Sequence, residues 1–133
     1  GYKAWGSELT TEISLVEADM CRFMRKEGGY IGAEVVQKKE KDGVSLHLVY
    51  CEVEANDADP IGNEPIYDGD DIIGITTSGA YGHCVKKSLM FAYVSSGFES
   101  PGTSFEVRIL GKRKKTIVLA EPAWDPGNTR LKA

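Results

Sequence analysis

Past Gly43 the apolar residues of this chain stop recurring at intervals of three and four and begin recurring at intervals of two, which constrains the fold more than any other feature. Val44, Leu46, Leu48 and Tyr50 alternate with Ser45, His47, Val49 and Cys51, the pattern of a long strand. The stretch EANDADPIGNEP is a polar connection, and Asp68-Gly69 is a hairpin-type turn before Ile72, Ile73 and Ile75. Cys84 to Val94 ends in the nearly continuous apolar run Leu89 to Val94, expected of a strand buried on both faces. Ser100-Pro101-Gly102 turns the chain into Phe105, Val107 and Ile109, which alternate with Glu106 and Arg108. Gly111 to Lys114 reads as a basic hairpin tip and Thr116 to Leu119 as the returning strand. Five or six antiparallel strands beginning near residue 44 make a small barrel or sandwich.

Ahead of Gly43 the pattern is helical. Ser14 to Glu17 match a capping box, in which the serine hydroxyl and the glutamate satisfy each other's amides at a helix start. A short helix is expected to follow, with Val16, Met20, Phe23 and Met24 on one face. Tyr30-Ile31-Gly32 leads into AEVVQKKEKDG, with Glu34 in the first turn, Lys38, Lys39 and Lys41 in the last, and Gly43 as a stop. That order of charges suits the helix dipole. The expected fold class is α+β, mainly β: a short helical N-terminal segment, residues 1–42, followed by the strands of residues 43–133.

A chain of 133 residues, 41% hydrophobic and 27% charged, has the size and composition of one globular domain with a real core. There is no run of about eighteen apolar residues, as a membrane-spanning helix requires. The first residues lack the basic start and apolar stretch of a signal peptide and begin within a patterned segment without methionine, so the chain is expected to be a fragment. A net charge of −4 argues against nucleic acid as the main partner. Cys21, Cys51 and Cys84 are odd in number and form no CxxC, which fits buried thiols in a reducing, cytosolic compartment.

Candidate chemistry is sparse. DADPIG imitates the start of a calcium loop, but Ile61 stands at the fifth ligand position and Asp68, not glutamate, at the twelfth, so a solvated loop is expected. His47 and Cys51, four apart on a strand, lie about 13 Å from one another, too far to share a metal. His83 and Cys84 are adjacent and point oppositely in any strand, so a Cys/His nucleophilic pair would have to arise through the fold. Lys112 to Lys115 lack interleaved aromatics and read as a solvated turn rather than a nucleic-acid patch. Asp68, Asp70 and Asp71 lie in a turn, without the desolvation that acid/base work needs. Thr76, Thr77 and Ser78 read as backbone partners at a strand end, since no base is near. Trp5, Trp124 and Arg130, flat groups near the chain ends, suit stacking on a heterocycle and pairing with a carboxylate tail. Plain packing of the ends against a neighbour is the competing reading.

The ordered motifs resemble the glycine-cleavage T-protein family, and within it the transferase portion of dimethylglycine and sarcosine dehydrogenases. Trp5-Gly6 resembles the dehydrogenase subgroup, Ser14 to Ala18 the family's TPxEA helix start, and Tyr30-Ile31-Gly32 its FIG. Glu64 to Tyr67, Gly74 to Gly79, Lys87 to Leu89, Ala92 to Val94, Pro101 to Thr103 and Asp125 to Arg130 resemble its carboxy-terminal barrel domain, and the likeness spans nearly all residues. The resemblance implies a five- to six-stranded antiparallel barrel closing over a folate-binding domain whose end is residues 1–42. It implies tetrahydrofolate as acceptor of a one-carbon unit from a small-molecule amine, with the catalytic aspartate and the main pterin-binding glutamate upstream of Gly1. The fragment alone would then be inactive. Arg130 and Arg25 become candidates for the folate carboxylates and Trp5 for its ring, with FAD in a further upstream domain if the protein is a dehydrogenase.

Further expectations follow from that likeness. The expected partner is the missing N-terminal folate domain, with self-association of the fragment through the surface it leaves bare, no nucleic acid and no membrane. The expected location is cytoplasmic, or the mitochondrial matrix in a eukaryote. Two departures stand out: the family's EAGL is Glu17-Ala18-Asp19-Met20, and Glu27-Gly28-Gly29 stands where relatives carry a folate-contacting basic residue, leaving Arg25 and Lys26 as the nearest cations. A non-catalytic folate-binding or interaction domain, and a folate-dependent demethylase, are the rival readings.

Overall fold

A computed structural model describes the chain from Gly1 to Ala133. Its strands are β1 (Leu46–Val53), β2 (Pro65–Asp68), β3 (Asp71–Gly82), β4 (Lys87–Ser95), β5 (Ser104–Ile109) and β6 (Lys112–Val118). They close into one barrel in the order β1-β4-β3-β2-β5-β6, every pair antiparallel. Sequence neighbours pair where tight turns join them, and β1 completes the ring by pairing β4 from Leu46↔Ser95 to Val53↔Ser88 and β6 at Cys51↔Val118. Closure leaves no open sheet edge.

Inside lie Val49, Cys51 and Val53 of β1, Met90, Ala92 and Val94 of β4, and Ile66, Ile73, Phe105, Val107, Ile109 and Val118. The two-residue period does this sorting, because alternate side chains face opposite sides of a strand. The other faces of β1 and β4 are covered too: Leu48, Phe91 and Tyr93 form a second cluster outside the barrel, packed against Ile13 and Tyr50. Leu89 to Val94 is therefore the strand buried on both faces that its unbroken apolar run predicts.

The β5–β6 hairpin corrects one expectation. Its tip is Leu110-Gly111, both at positive φ (47° and 80°), as a two-residue turn matched to strand twist requires. The cations therefore lie in β6, not at the tip: Lys112 pairs across from Ile109, Arg113 from Arg108 and Lys114 from Val107. Arg113 stacks 4.3 Å over the Tyr67 ring and donates to the Gly69 carbonyl, while Lys114 and Lys112 both reach the Asp57 carboxylate. Strand pairing makes the run a fastener for loops 57 and 69 instead of a solvated turn.

The N-terminal segment corrects another. Ser14 donates its amide (2.8 Å) and its hydroxyl (2.6 Å) to Glu17 Oε2, and the Ala18 amide reaches the Ser14 carbonyl at 3.0 Å. The turn then stops at once. Met20 N–H bonds the Leu15 carbonyl at 2.8 Å and Asp19 N–H the Val16 carbonyl at 3.2 Å, a Schellman closure with Asp19 left-handed at φ 51°. A single turn replaces the expected helix, and a 3-10 turn, Cys21–Phe23, follows. Val16, Met20, Phe23 and Met24 consequently share no helix face: Met24 is buried and Phe23 is 62% exposed. α1 (Ala33–Asp42) forms where the charge order and Gly43 place it, with Gly43 N–H bonded to the Lys39 carbonyl at 2.9 Å.

Because aspartate lacks glycine's freedom at positive φ, Asp19→Gly is expected to raise stability by up to about 1 kcal/mol. The Lys3 ion pair it gives up, 3.4 Å with an Asp19 side chain 86% exposed, is worth little. A urea denaturation midpoint that falls on substitution would reverse this assignment.

Candidate functional site

The segment 1–20 crosses the outer face of the barrel and is held there by one buried acid. Residues 4–9 form a tight loop: Gly6 N–H bonds the Leu9 carbonyl at 2.8 Å, and the amides of Glu8 and Leu9 both reach the Ala4 carbonyl. Gly6, at φ 88°, turns it. Trp5 lies beside that turn, 76% exposed, while Glu8 points inward and is 1% exposed. Glu8 Oε1 accepts from the hydroxyls of Thr77 (2.7 Å) and Ser78 (2.6 Å), and Oε2 from the Ala4 amide (2.7 Å).

Consecutive strand residues ordinarily face opposite sides. Here the register of β3 against β4 shifts between Thr76 and Ser78, and this bulge lets both hydroxyls meet one oxygen. Burial works to raise the Glu8 carboxyl's pKa, but the Ser78 and Thr77 hydroxyls and the Ala4 amide outweigh it and hold it below the ordinary value. Tyr93 Oη donates to the Glu8 carbonyl at 2.7 Å, and burial, with the charges of Glu17 and Glu8, pushes that phenol up to about 12. Further along, Leu48 N–H bonds the Glu17 carbonyl at 2.8 Å and Lys39 Nζ reaches Glu17 Oε2 at 2.9 Å.

A second carboxylate organises the loop before β2. Glu64 accepts from the Ile61 and Gly62 amides, each at 2.9 Å, and from the Thr76 hydroxyl, while its own amide donates to Thr76 Oγ1 at 2.8 Å. Asp59 accepts from Ser88 Oγ at 2.7 Å. Thr76, Thr77 and Ser78 thus lie within β3, not at its end; Thr76 partners the Glu64 backbone, as expected, as well as its carboxylate, whereas Thr77 and Ser78 meet a carboxylate distant in sequence. Glu8 was not among the sequence-derived candidates. Its only trace is two successive hydroxyls, Thr77 and Ser78, lacking a local acceptor.

The remaining reactive side chains stay apart. Cys51 lies in the barrel core, its thiol pushed up to about 12 by burial. His47 Nε2 is 3.1 Å from Ser96 Oγ, and His83 packs edge-on against Tyr81. Neither histidine hydrogen-bonds a cysteine.

Arg130 stacks 4.6 Å over the Trp124 ring, on a turn that Asp125 holds by accepting from the Thr129 amide (2.8 Å), the Thr129 hydroxyl (2.7 Å) and the Arg130 amide (3.0 Å). Tyr2 Oη donates to Asn128 Oδ1 at 2.9 Å, so the two chain ends meet. Arg25 is exposed ahead of the Gly28-Gly29 turn, whose residues have φ of 71° and 78°. No hydrogen bond or stacking contact joins Trp5, Arg25 and Arg130 to one another.

Two recesses flank the crossing segment. One, about 540 Å³, is lined by residues including Lys3, Glu17, Arg22, His47 and Tyr50; the other, about 400 Å³, by residues including Tyr2, Glu8, Ser78, Tyr81 and Phe91. Trp5, Arg25 and Arg130 line neither.

Comparison with known proteins fits this architecture. Residues 47–125, more than half of the chain, match the family described as glycine cleavage T-protein C-terminal barrel domain. Mitochondrial dimethylglycine dehydrogenase of Mus musculus is 34% identical over 134 aligned positions, covering 98% of this chain and 15% of that protein. Mitochondrial aminomethyltransferase of Pisum sativum is 32% identical over 127, covering 92% of this chain and 31% of its own length. The crystal structure of glycine cleavage system aminomethyltransferase T from Bartonella henselae superposes with a TM-score of 0.84 at 19% identity, covering 91% of this chain and 35% of that one. The chain thus spans 15% to 35% of the length of these relatives. With its strands in a closed six-membered ring and its sequence aligned almost from end to end, the chain belongs to the glycine cleavage T-protein family as a C-terminal barrel.

Proposed function

We propose that the chain is the carboxy-terminal part of an enzyme that passes a one-carbon unit from a small-molecule amine to tetrahydrofolate, of the dimethylglycine dehydrogenase or aminomethyltransferase kind. The observation that carries this reading is one-third identity to dimethylglycine dehydrogenase over 98% of the chain. Residues 1–42 would end a folate-binding domain and residues 43–133 form the barrel beside it. FAD would belong to an upstream domain in the dehydrogenase case. The cytoplasm, or the mitochondrial matrix in a eukaryote, would be its location. Tyr2, Trp5, Phe23, Ile31 and Val35, all exposed, suit a surface that the preceding domain covers.

Within that reading Arg130 and Arg25 contact the folate carboxylates and Trp5 its ring. The Arg130 side chain donates no hydrogen bond within the chain and lies over Trp124, which leaves its N–H groups for a bidentate carboxylate. Isothermal titration of tetrahydrofolate into the full-length protein and its Arg130→Ala, Arg25→Ala and Trp5→Ala forms tests this. Losing one charge-assisted contact is expected to weaken binding by about tenfold or more. Unchanged affinity removes the residue concerned from the site. A folate-binding module without chemistry is the second reading, favoured by the exposed Glu27 and the two left-handed glycines after it. A catalytic aspartate in the upstream sequence would exclude it.

A further inference from the structure

We infer that Glu8 is a positioning residue: by joining the Thr77 and Ser78 hydroxyls of β3 to the Ala4 amide, it fixes the loop that presents Trp5 beside the barrel. The inference rests on the folate reading above, since the indole matters only if it meets the ligand.

One side chain makes the connection in series. Oε1 is held by two hydroxyls of the barrel wall, and Oε2 holds the amide of the residue immediately before Trp5. The Tyr93 hydroxyl fixes the Glu8 carbonyl as well, so the loop's inner corner is pinned through both side chain and backbone. Trp5 itself makes no side-chain hydrogen bond and is largely exposed, so the indole has no anchor of its own. Its location is inherited from Glu8. A group that stacks on a ligand loses most of its contribution when displaced by about an ångström, which is why the residue supporting it counts.

The geometry also selects the variants. Glutamine is a poor probe, because its NH2 can donate to the two hydroxyls while its oxygen still accepts from the Ala4 amide; methionine has a similar length and serves neither. Thr77→Val with Ser78→Ala removes the donors from the other side. Thr77→Ser keeps the hydroxyl and serves as the rescue.

The test labels the full-length protein with 5-fluorotryptophan, assigns the Trp5 fluorine resonance by Trp5→Phe, and measures tetrahydrofolate affinity in parallel. Glu8→Met and the Thr77→Val/Ser78→Ala pair are expected to shift or split the Trp5 resonance, leave that of Trp124 in place, and weaken tetrahydrofolate about tenfold. Thr77→Ser is expected to preserve both resonance and affinity. If Glu8→Met does not fold, the Thr77/Ser78 pair carries the same test. An unmoved Trp5 resonance overturns the inference. So does a moved resonance with undiminished affinity, provided that Trp5→Ala itself binds more weakly. Should Trp5→Ala bind tetrahydrofolate as wild type does, the folate role of Trp5 falls, and the resonance alone then decides whether Glu8 positions the loop.

Discussion

Gly74→Ala is expected to destabilise the barrel by about 3 kcal/mol or more, the upper end of what overpacking costs. A Cβ at this position would lie 2.2 Å from the Tyr93 carbonyl oxygen, 3.0 Å from Val94 Cα and 3.2 Å from the Tyr93 carbonyl carbon. All three atoms belong to the backbone of β4, the strand paired with β3 at Gly74↔Val94, so no rotamer change relieves the clash. Either the β3–β4 ladder opens or the bulge below it moves. The bulge brings Thr77 and Ser78 to Glu8, so the substitution should also loosen the crossing segment. At about 3 to 6 °C per kcal/mol for a chain of this size, the melting temperature should fall by roughly 10–15 °C. A calorimetric scan that moves by only a degree or two would show that the ladder yields without cost.

Much of this architecture is legible in the sequence, for identifiable reasons. α1 is local: Glu34, the lysines at its end and Gly43 act within one or two turns, so the residues that specify it lie inside it. The strands are almost as readable, because inward and outward residues alternate whatever the barrel's closure. Cooperation across long sequence separations is not readable. Ser14 and Glu17 make half of the capping box, the Ser14 amide donating to the Glu17 carboxylate while the Ser14 hydroxyl donates there too. The helix it announces ends after one turn, because Asp19 goes left-handed and the Glu17 carbonyl is taken by Leu48 of β1. The hydroxyls of Thr77 and Ser78 have an acceptor 69 and 70 residues away, brought near by a bulge that no periodicity encodes. Lys112 to Lys115 fall in a strand because the turn is two residues long, a length their charge does not reveal. For the candidate ligand contacts, Arg130 meets Trp124, as flat groups at the chain ends suggest, but Trp5 and Arg25 stand apart from them.

Acid is expected to release the crossing segment before it opens the barrel. Glu8, Glu17 and Glu64 all sit below the ordinary glutamate value of 4.5: burial opposes the shift in each, and is outweighed by hydroxyl and amide donors, joined at Glu17 by Lys39. An acid with a lowered folded pKa binds more protons unfolded than folded between the two values. Its contribution is therefore complete above 4.5 and drains away as pH falls through the lower folded value. Glu8 and Glu17 act on residues 1–20, whereas the twelve-residue core of the barrel contains no carboxylate to protonate. Hydrogen exchange at decreasing pH should show the amides of Ala4, Gly6 and Leu9, after correction for intrinsic rates, losing protection before those of β1 and β4. Glu8→Gln should abolish the loop's share of that dependence. Simultaneous loss in loop and barrel would instead mean that the segment and the barrel open as one unit. The alkaline limit has the opposite sign: the Cys51 thiol, raised by burial from 9.0 to about 12, favours folding fully below 9.0 and less as pH climbs toward 12. Because that thiol lies inside the barrel, base should attack the core directly, and alkaline exchange should expose β1 and β4 together with the loop.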